Sequence, residues 1–310
     1  MARLTLLIIC ALVSIGPWVS AQRINGGSVP FPRNPRIASI DTLAVGSRAR
    51  LNPAETQVCY DARNPLTAYY SVFIADYPSL ANRRLLTLGM AGVPTGRNQG
   101  ACRYHSAGNF ICWNQEVQTH YLDTDANLSN PGVGLYAQIY CMHVTTGAVS
   151  VVTSNTIKLT VGDGLESFAA FNPVFSPDGL TMCYTRRFQT GSQGEEGDWD
   201  VRCMDVTLGA TLTTANEATA YDPAAPGANY VVMMQILASP TRYFMASNHD
   251  GQDFPGMDII IQNRDTLVVT KLTDTPENWE EGALVTPGGR VITMSDLGMF
   301  HGAGEIGSAS

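Results

Sequence analysis

Short apolar stretches split by a Pro/Gly turn recur five times along this chain. In the clearest copy, residues 175–184 read Phe-Ser-Pro-Asp-Gly-Leu-Thr-Met-Cys-Tyr, and looser copies of the turn lie at 51–55, 104–108, 238–242 and 285–289. Apolar alternation and β-branched residues on both sides of a turn predict two antiparallel strands. A repeat at this spacing is typical of solenoids and propellers.

The second half of each repeat predicts two further strands. Residues 139–148 match residues 201–210, and the apolar runs 71–76 and 258–263 occupy the same place in their own units. No segment has the period of a long amphipathic helix. Each unit is therefore predicted to contain four strands.

Four strands per unit predict an all-β fold, a β-propeller of about five four-stranded blades. The last unit has only its first two strands before the chain ends, and residues 36–41 can supply an outer strand to it. Pairing of the N- and C-terminal strands would then close the ring. A sixth blade finds no room, because even the longest interval between successive turns is too short to hold one.

The N-terminus predicts export. Residues 1–21 combine one arginine, a short apolar run and the exit Val19-Ser20-Ala21, which is typical of a secretory signal peptide. The run is too short to span a membrane. We expect a linker at 22–34, the propeller at 35–301 and a tail at 302–310, in a secreted or periplasmic protein without an integral membrane segment.

The charge argues against two classes of partner. The net charge is −8, and removal of Arg3 with the leader makes it −9. Nucleic acids and anionic membranes both attract basic surfaces, so neither is expected as a partner. The oligomeric state is left open.

The turn Ser176-Pro177-Asp178-Gly179 resembles the repeat of the TolB-like propeller family. Residues 247–251, Ser-Asn-His-Asp-Gly, are similar to a segment that follows the second strand in that family. The resemblance covers residues 35–300 and implies a propeller fold. It implies no activity, because propellers serve both binding and catalysis.

Six cysteines remain after removal of the leader, an even number that favours disulfides in an exported chain. Equivalent strand positions in the repeat predict the bridges Cys183–Cys203 and Cys112–Cys141, and a third, Cys59–Cys102, between the first two blades. The third follows from pairing Ala101 with Cys112, which turns Cys102 to the opposite face. The alternative is that several of these residues are buried free thiols.

Long loops between the second and third strands, at 61–68, 114–137, 186–198 and 248–257, are expected to share one rim. Acidic and aromatic loops on a rigid ring favour a binding face, and the alternative is a solvated, variable surface. The candidate binding residues are Tyr121, Asp123, Asp125, Asn127, Glu195, Glu196, Asp198, Trp199, His249, Asp250, Asp253 and Phe254.

One pattern suggests a metal. Asp123, Asp125 and Asn127 have the spacing that opens a calcium loop, although Leu128 stands where an EF-hand requires glycine. We expect no cofactor, and the alternative is a calcium ion bound by these three residues.

Two functions are weighed. The first is a rigid module that binds a protein or glycan through the long-loop rim. The second is a carbohydrate-active or lactonase-like hydrolase or lyase with an axial site, for which the acids Asp198, Asp200, Asp250 and Glu280 are candidates. We expect each of these acids to be a surface or turn-stabilising acid instead. The family resemblance adds His120 and His249 as candidate metal ligands, because some TolB-like lyases place histidines around a divalent metal. A third, weaker option is a subunit that exchanges strands with other chains.

Overall fold

The structure is a computed structural model that describes residues 49–67, 69–87, 90–117, 137–153, 167–189, 198–221, 232–239, 242–247, 257–274, 280–285 and 291–295. All the regular elements in these ranges are strands, which confirms the all-β class. The predicted leader, linker and tail, and the strand expected at 36–41, lie outside the described residues.

The first two repeats each form a four-stranded antiparallel sheet in which each strand pairs with its neighbours in sequence. Sheet one contains β1 (Ala49–Leu51), β2 (Gln57–Arg63), β3 (Tyr70–Asp76) and β4 (Arg84–Leu85). Sheet two contains β5 (Gln99–Tyr104), β6 (Phe110–Glu116), β7 (Ala137–His143) and β8 (Val149–Val151).

The next two repeats have the same order of strands, and the fifth has two. Sheet three contains β9 (Ser167–Phe175), β10 (Thr181–Gln189), β11 (Asp198–Leu208) and β12 (Leu212–Tyr221). Sheet four contains β13 (Val232–Ser239), β14 (Arg242–Ser247), β15 (Asp258–Asn263) and β16 (Val269–Lys271). Sheet five contains β17 (Glu280–Val285) and β18 (Val291–Ser295).

Successive sheets pack face to face. One apolar cluster joins sheets one and two, a second joins sheets two and three, and a third joins sheets three and four. The first strands of successive sheets also contact one another. Four-stranded meanders stacked in this way have the arrangement of propeller blades. The number of blades in the whole chain and the closure of the ring stay predictions.

The stacking explains why the strands are apolar on both faces. In β2, five consecutive residues from Val58 to Ala62 are buried. Cys59 belongs to the cluster shared with sheet two, whereas Val58 and Tyr60 belong to a separate cluster on the opposite face of sheet one. A strand covered on both sides reads as a continuous apolar run instead of an alternation.

The Pro/Gly turns lie at one end of the sheets, together with the turns between third and fourth strands. We call this end the short-turn rim and the opposite end the long-loop rim. In the turn 176–179, the Gly179 amide donates to the Ser176 carbonyl at 2.8 Å, and Gly179 has φ +75°. A Cβ atom on Gly179 would collide with the side chains of Ser106 and His105, so glycine is needed for conformation and for space.

The structure contains three disulfides, and they join the pairs that the repeat predicts. Two of them connect directly opposite residues on neighbouring strands, with Cα–Cα distances of 4.0 Å for Cys112–Cys141 and 4.1 Å for Cys183–Cys203. The third joins Cys59 in sheet one to Cys102 in sheet two, at 6.2 Å.

The register used to predict the third bridge was wrong. Cys112 pairs with Arg103, and a bulge between Gly100 and Arg103 leaves Ala101 without a cross-strand partner at φ +49°. Asn172 has φ +56° at the equivalent place in β9, where the ladder also shifts register. The extra residue bends the first strand locally, which counting along a regular ladder could not foresee.

Candidate functional site

The structure describes little of the predicted binding face. Asp198 and Trp199 begin β11, opposite Phe188 and Arg187 of β10. The other predicted residues lie outside the described residues and stay predictions: Tyr121, Asp123, Asp125, Asn127, Glu195, Glu196, His249, Asp250, Asp253 and Phe254. Of the loops on the long-loop rim, the structure describes most of the one between β2 and β3 and most of the connection from β4 to β5.

The loop between β2 and β3 forms a fixed tip on this rim. The Asn64 side chain accepts a hydrogen bond from the Leu66 amide at 3.0 Å, and its carbonyl accepts one from the Thr67 amide at 3.2 Å. The Asn64 amide donates to the Tyr69 carbonyl at 2.8 Å and closes the loop. Asn64 is buried, whereas the Leu66 side chain at the tip is 92% exposed. The loop therefore presents an aliphatic group in a defined position.

A buried carboxylate anchors the neighbouring connection from β4 to β5. Glu116, at the end of β6, accepts hydrogen bonds from the amide and the side chain of Asn98, both at 2.9 Å. The Asn98 side chain in turn accepts the Tyr70 amide of sheet one at 2.9 Å. Both polar side chains are buried, and their bonds tie the start of β3 to the end of β6.

A second polar group continues this network inward. The Gln99 side chain donates to the Thr87 hydroxyl at 2.9 Å and to the Gln115 side chain at 2.8 Å. Gln115 also accepts the Trp113 indole N–H at 3.2 Å. Because these groups bond to one another across sheets one and two, the rim below Leu66 is rigid.

A repeated contact fixes the first strands near the same rim. The Asp61 carboxylate accepts the Ala101 amide at 3.3 Å, and the Asn114 side chain accepts the Asn172 amide at 2.9 Å. Each acceptor lies two residues after a cysteine, on the second strand of one sheet, and each donor is the bulge residue of the next sheet. The bulge therefore gains a partner from its neighbour, and buried Asp61 and Asn114 hold the scaffold together.

Asp200, one of the candidate catalytic acids, is held in an ion pair. The Arg186 guanidinium binds it through two nitrogens at 2.9 and 2.6 Å, and Arg202 adds a third contact at 2.9 Å. Burial raises the pKa of Asp200, and hydrogen bonds from the two guanidinium groups oppose that rise. The expectation of a surface or turn-stabilising acid was wrong, because Asp200 is buried between β10 and β11.

Asp258 holds the equivalent position in sheet four and is also paired. Its carboxylate lies 2.8 Å from the Lys271 ammonium of β16 and accepts the Thr273 hydroxyl at 3.3 Å. Lys271 also contacts exposed Asp274 at 2.7 Å. Both buried acids are therefore matched by cations of their own sheet.

The acids in the described ranges do not converge. Asp61, Glu116, Asp200 and Asp258 each bond to a different partner set. Within those ranges, no group of three or more His, Cys, Asp or Glu side chains could hold a metal ion. The predicted calcium ligands Asp123, Asp125 and Asn127 lie outside the described residues. The same is true of Asp250, His120 and His249. Glu280 begins β17.

The two described histidines build turns. The His105 ring accepts the Ala107 amide at its Nδ1 atom, so its Nε2 atom carries the proton that is donated to the Gly179 carbonyl at 2.9 Å. His143 accepts the amides of Thr145 and Thr146 at its Nδ1 atom. Both rings therefore hold backbone groups of the turns beside them.

Leu66 was missed by the sequence analysis, although its loop was identified. An isolated leucine in a loop resembles any other apolar residue, whereas acidic and aromatic side chains in loops are the usual signals of a binding face. The available signal was Asn64-Pro65, a dipeptide that favours turns. No helix in the described ranges is long and apolar enough to cross a membrane.

No protein-family profile and no curated protein matches this chain. Solved structures with a similar arrangement of strands include a protein of Agrobacterium tumefaciens described as TolB, with 14% identity and a TM-score of 0.46. The match covers 81% of this chain and 73% of that one. A puromycin-hydrolysing peptidase of Mycobacterium tuberculosis has 14% identity and a TM-score of 0.49, over 82% of this chain and 36% of the peptidase.

A third similar structure is the β-propeller domain of the trilobed protease of Pyrococcus furiosus. It has 8% identity and a TM-score of 0.44, over 78% of this chain and 62% of that one. This chain therefore spans about a third of the peptidase and less than two thirds of the protease domain. Likenesses this distant assign neither a function nor a site.

Proposed function

We propose that this chain is an exported propeller that binds a protein partner through its long-loop rim. The observation that carries the proposal is Leu66, an aliphatic side chain that is 92% exposed at the tip of a hydrogen-bonded loop. Interfaces take most of their binding energy from a few apolar or aromatic anchors held in place before contact. The buried network around Asn98 and Glu116 supplies the rigid support.

Leu66 favours a protein over a glycan. Sugar rings are bound by flat aromatic faces and polar groups, whereas a lone leucine fits an apolar pocket lined by side chains. The half-buried Tyr69 and Tyr70 follow it on the same rim. In the whole ring, the predicted loops that carry Tyr121, Trp199 and Phe254 would extend this face.

The pairing of the cysteines in disulfides supports export of the protein. Disulfides persist in oxidising compartments, and the six cysteines of the mature chain form three of them. We therefore place the protein outside the cytoplasm, secreted or periplasmic.

The ring itself completes the proposal. We infer five blades, with residues 36–41 pairing onto sheet five, where β17 and β18 are the strands described. The buried far face of sheet one, with Val58, Tyr60 and Phe73, would then pack against this completed sheet. Deleting residues 22–41 is expected to lower the urea midpoint of unfolding, and an unchanged midpoint would contradict closure by this segment.

The experiment uses the oxidised mature chain with a photo-crosslinking amino acid at position 66. A matched variant carries it at Ala54, which is also exposed but lies in the turn between β1 and β2, on the short-turn rim of sheet one. We expect a protein partner from the extracellular fraction to crosslink at position 66 and not at 54. Its affinity, measured by calorimetry, should fall about thirtyfold in Leu66→Ser, the loss of a ~2 kcal/mol anchor.

Two results would contradict the proposal. Equal crosslinking from both positions would show that contact at Leu66 is not specific. Binding to an oligosaccharide panel with an affinity unchanged in Leu66→Ser would replace the protein partner with a glycan.

A further inference from the structure

The short-turn rim of sheets three and four carries a cluster of exposed apolar side chains. Leu180 lies in the turn between β9 and β10, and Leu208 lies at the end of β11. In sheet four, Leu267 and Val268 lie between β15 and β16. The two sheets share one apolar core, so their rims are neighbours. Exposed apolar groups that cluster on one surface mark a contact site more often than scattered ones do.

These tips are held as firmly as Leu66. The Leu180 amide donates to the Asp178 carboxylate at 3.0 Å, and the Leu180 carbonyl accepts the Val206 amide at 2.8 Å. In sheet four, the Asn263 amide donates to the Val268 carbonyl at 2.9 Å. A surface fixed in this way loses little conformational entropy on binding.

Leu267 adds a second observation. Its φ is +57°, at the turn position where sheet two has Gly147 with φ +70°. A left-handed conformation costs a residue with a Cβ atom about 1 kcal/mol. Leu267 is nevertheless 65% exposed, so no burial within the described residues offsets the strain. The chain therefore keeps an exposed apolar side chain at a turn position that glycine would occupy without strain.

The charges around the cluster are divided between the two sheets. On sheet three the exposed charges of this rim are two acids, Asp178 and Asp205, whereas sheet four has two exposed arginines, Arg242 and Arg264, and one exposed acid, Asp265. Neither arginine has an ion-pair partner among the described residues. A partner that fits this rim therefore needs cations opposite sheet three and anions opposite the arginines of sheet four.

A second copy of the chain has this pattern. We propose that two copies associate about a two-fold axis through the short-turn rim, with sheet three of each copy against sheet four of the other. Leu180, Leu208 and Leu267 would lie at the centre, and each acidic edge would face an arginine edge. Such an interface is self-complementary and closed. Because the chain has a net charge of −8, two copies repel each other when they approach through other surfaces.

The rim opposite Leu66 carries this interface, so the proposal is independent of the proposed function. The test is sedimentation equilibrium of the oxidised mature chain over a range of concentrations. We expect a dimer, and we expect Arg264→Glu and Asp205→Arg each to weaken it at least tenfold by placing like charges opposite each other. Mixing the two variants should restore dimers. In the mixed dimer, both acids belong to the Arg264→Glu chain and both arginines belong to the Asp205→Arg chain, so each contact again pairs opposite charges.

Leu267→Gly separates folding from association. Glycine accepts φ +57° without strain, so the urea midpoint of the monomer should rise, while the dimer should weaken about tenfold. Leu66→Ser, on the other rim, should leave the dimer unchanged. A wild-type chain that stays monomeric at every concentration would overturn the proposal, and so would a dimer that none of the rim variants weakens.

Discussion

The boundary between sheets one and two differs from the boundary between sheets two and three, although both join copies of the same repeat. The first has a covalent bridge, Cys59–Cys102, and a buried polar network around Asn98 and Gln99. The second has no bridge among the described residues. It is held by an apolar cluster and by interlocked turns, in which His105 donates to the Gly179 carbonyl at 2.9 Å.

Further hydrogen bonds fasten the second boundary at its outer strands. The Ser150 hydroxyl donates to the Leu212 carbonyl at 2.7 Å, and the Thr214 hydroxyl donates to the Val152 carbonyl at 2.9 Å. The repeat therefore determines the strand order within each sheet, whereas individual side chains determine how neighbouring sheets are joined. Substitutions at the two boundaries should lower the free energy of unfolding for different physical reasons.

Removing the bridge between sheets should have the largest effect. By the chain-entropy relation, losing Cys59–Cys102, with a sequence separation of 43, costs about 4 kcal/mol of unfolding free energy. Cys59→Ala with Cys102→Ala, measured by urea unfolding, tests this. The control pair is Cys183→Ala with Cys203→Ala, with a separation of 20 and an expected cost of about 3 kcal/mol. A smaller loss in the first pair than in the second would contradict the importance of the inter-sheet bridge.

Gly179→Ala should disrupt the interlocked turns. Its positive φ and the collision with the His105 ring together should cost about 2–3 kcal/mol. Gly147→Ala is the matched control, because Gly147 also has positive φ but nothing lies near its Cβ position. We expect about 1 kcal/mol there. Equal losses in thermal unfolding would show that the turns do not interlock.

Tyr104, at the first boundary, should make stability fall at high pH. Burial raises the pKa of Tyr104 to about 12 from 10.0, and its hydroxyl has no hydrogen-bond partner in the described structure. The folded state thus holds the phenol proton more tightly than the unfolded state. The resulting stability is complete below the unfolded pKa and is lost as pH rises from 10 towards 12.

The measurement compares wild type with Tyr104→Phe in urea at neutral and alkaline pH. We expect little change at pH 7 and, for wild type only, an added loss of about 2 kcal/mol at high pH. A clear destabilisation of Tyr104→Phe at pH 7 would reveal a hydrogen bond to the hydroxyl.

Tyr184→Phe, at the second boundary, should have the smallest effect. The Tyr184 hydroxyl donates to the Glu217 carboxylate at 2.6 Å, and burial, together with that acid, raises the pKa of Tyr184. Because Glu217 is exposed, water can replace the lost partner, so we expect a cost of about 1 kcal/mol. At neutral pH, Tyr104→Phe serves as the control, and a loss no greater than in that variant would contradict a stabilising bond.

Strands, turns and cysteine pairs could be predicted because they depend on neighbours in sequence or on the repeat. The bulge at Ala101 could not, because its amide is held by Asp61 from another sheet. The ion pair of Asp200 was missed for a related reason, since Arg186 meets it only through strand pairing. The exposure of Leu66 could not be predicted either, because the sequence does not distinguish an exposed leucine from a buried one.

The three disulfides have a consequence for proteolysis. Each spans the connection between the second and third strands of its sheet: Cys59–Cys102 encloses the Leu66 loop, Cys112–Cys141 the segment after β6, and Cys183–Cys203 the segment after β10. A protease that cuts any of these connections leaves one covalent molecule, which separates only on reduction. Sheet four has no such bridge between β14 and β15. A single cut there divides the chain, so of the four connections between second and third strands only this one loses covalent continuity on one cleavage.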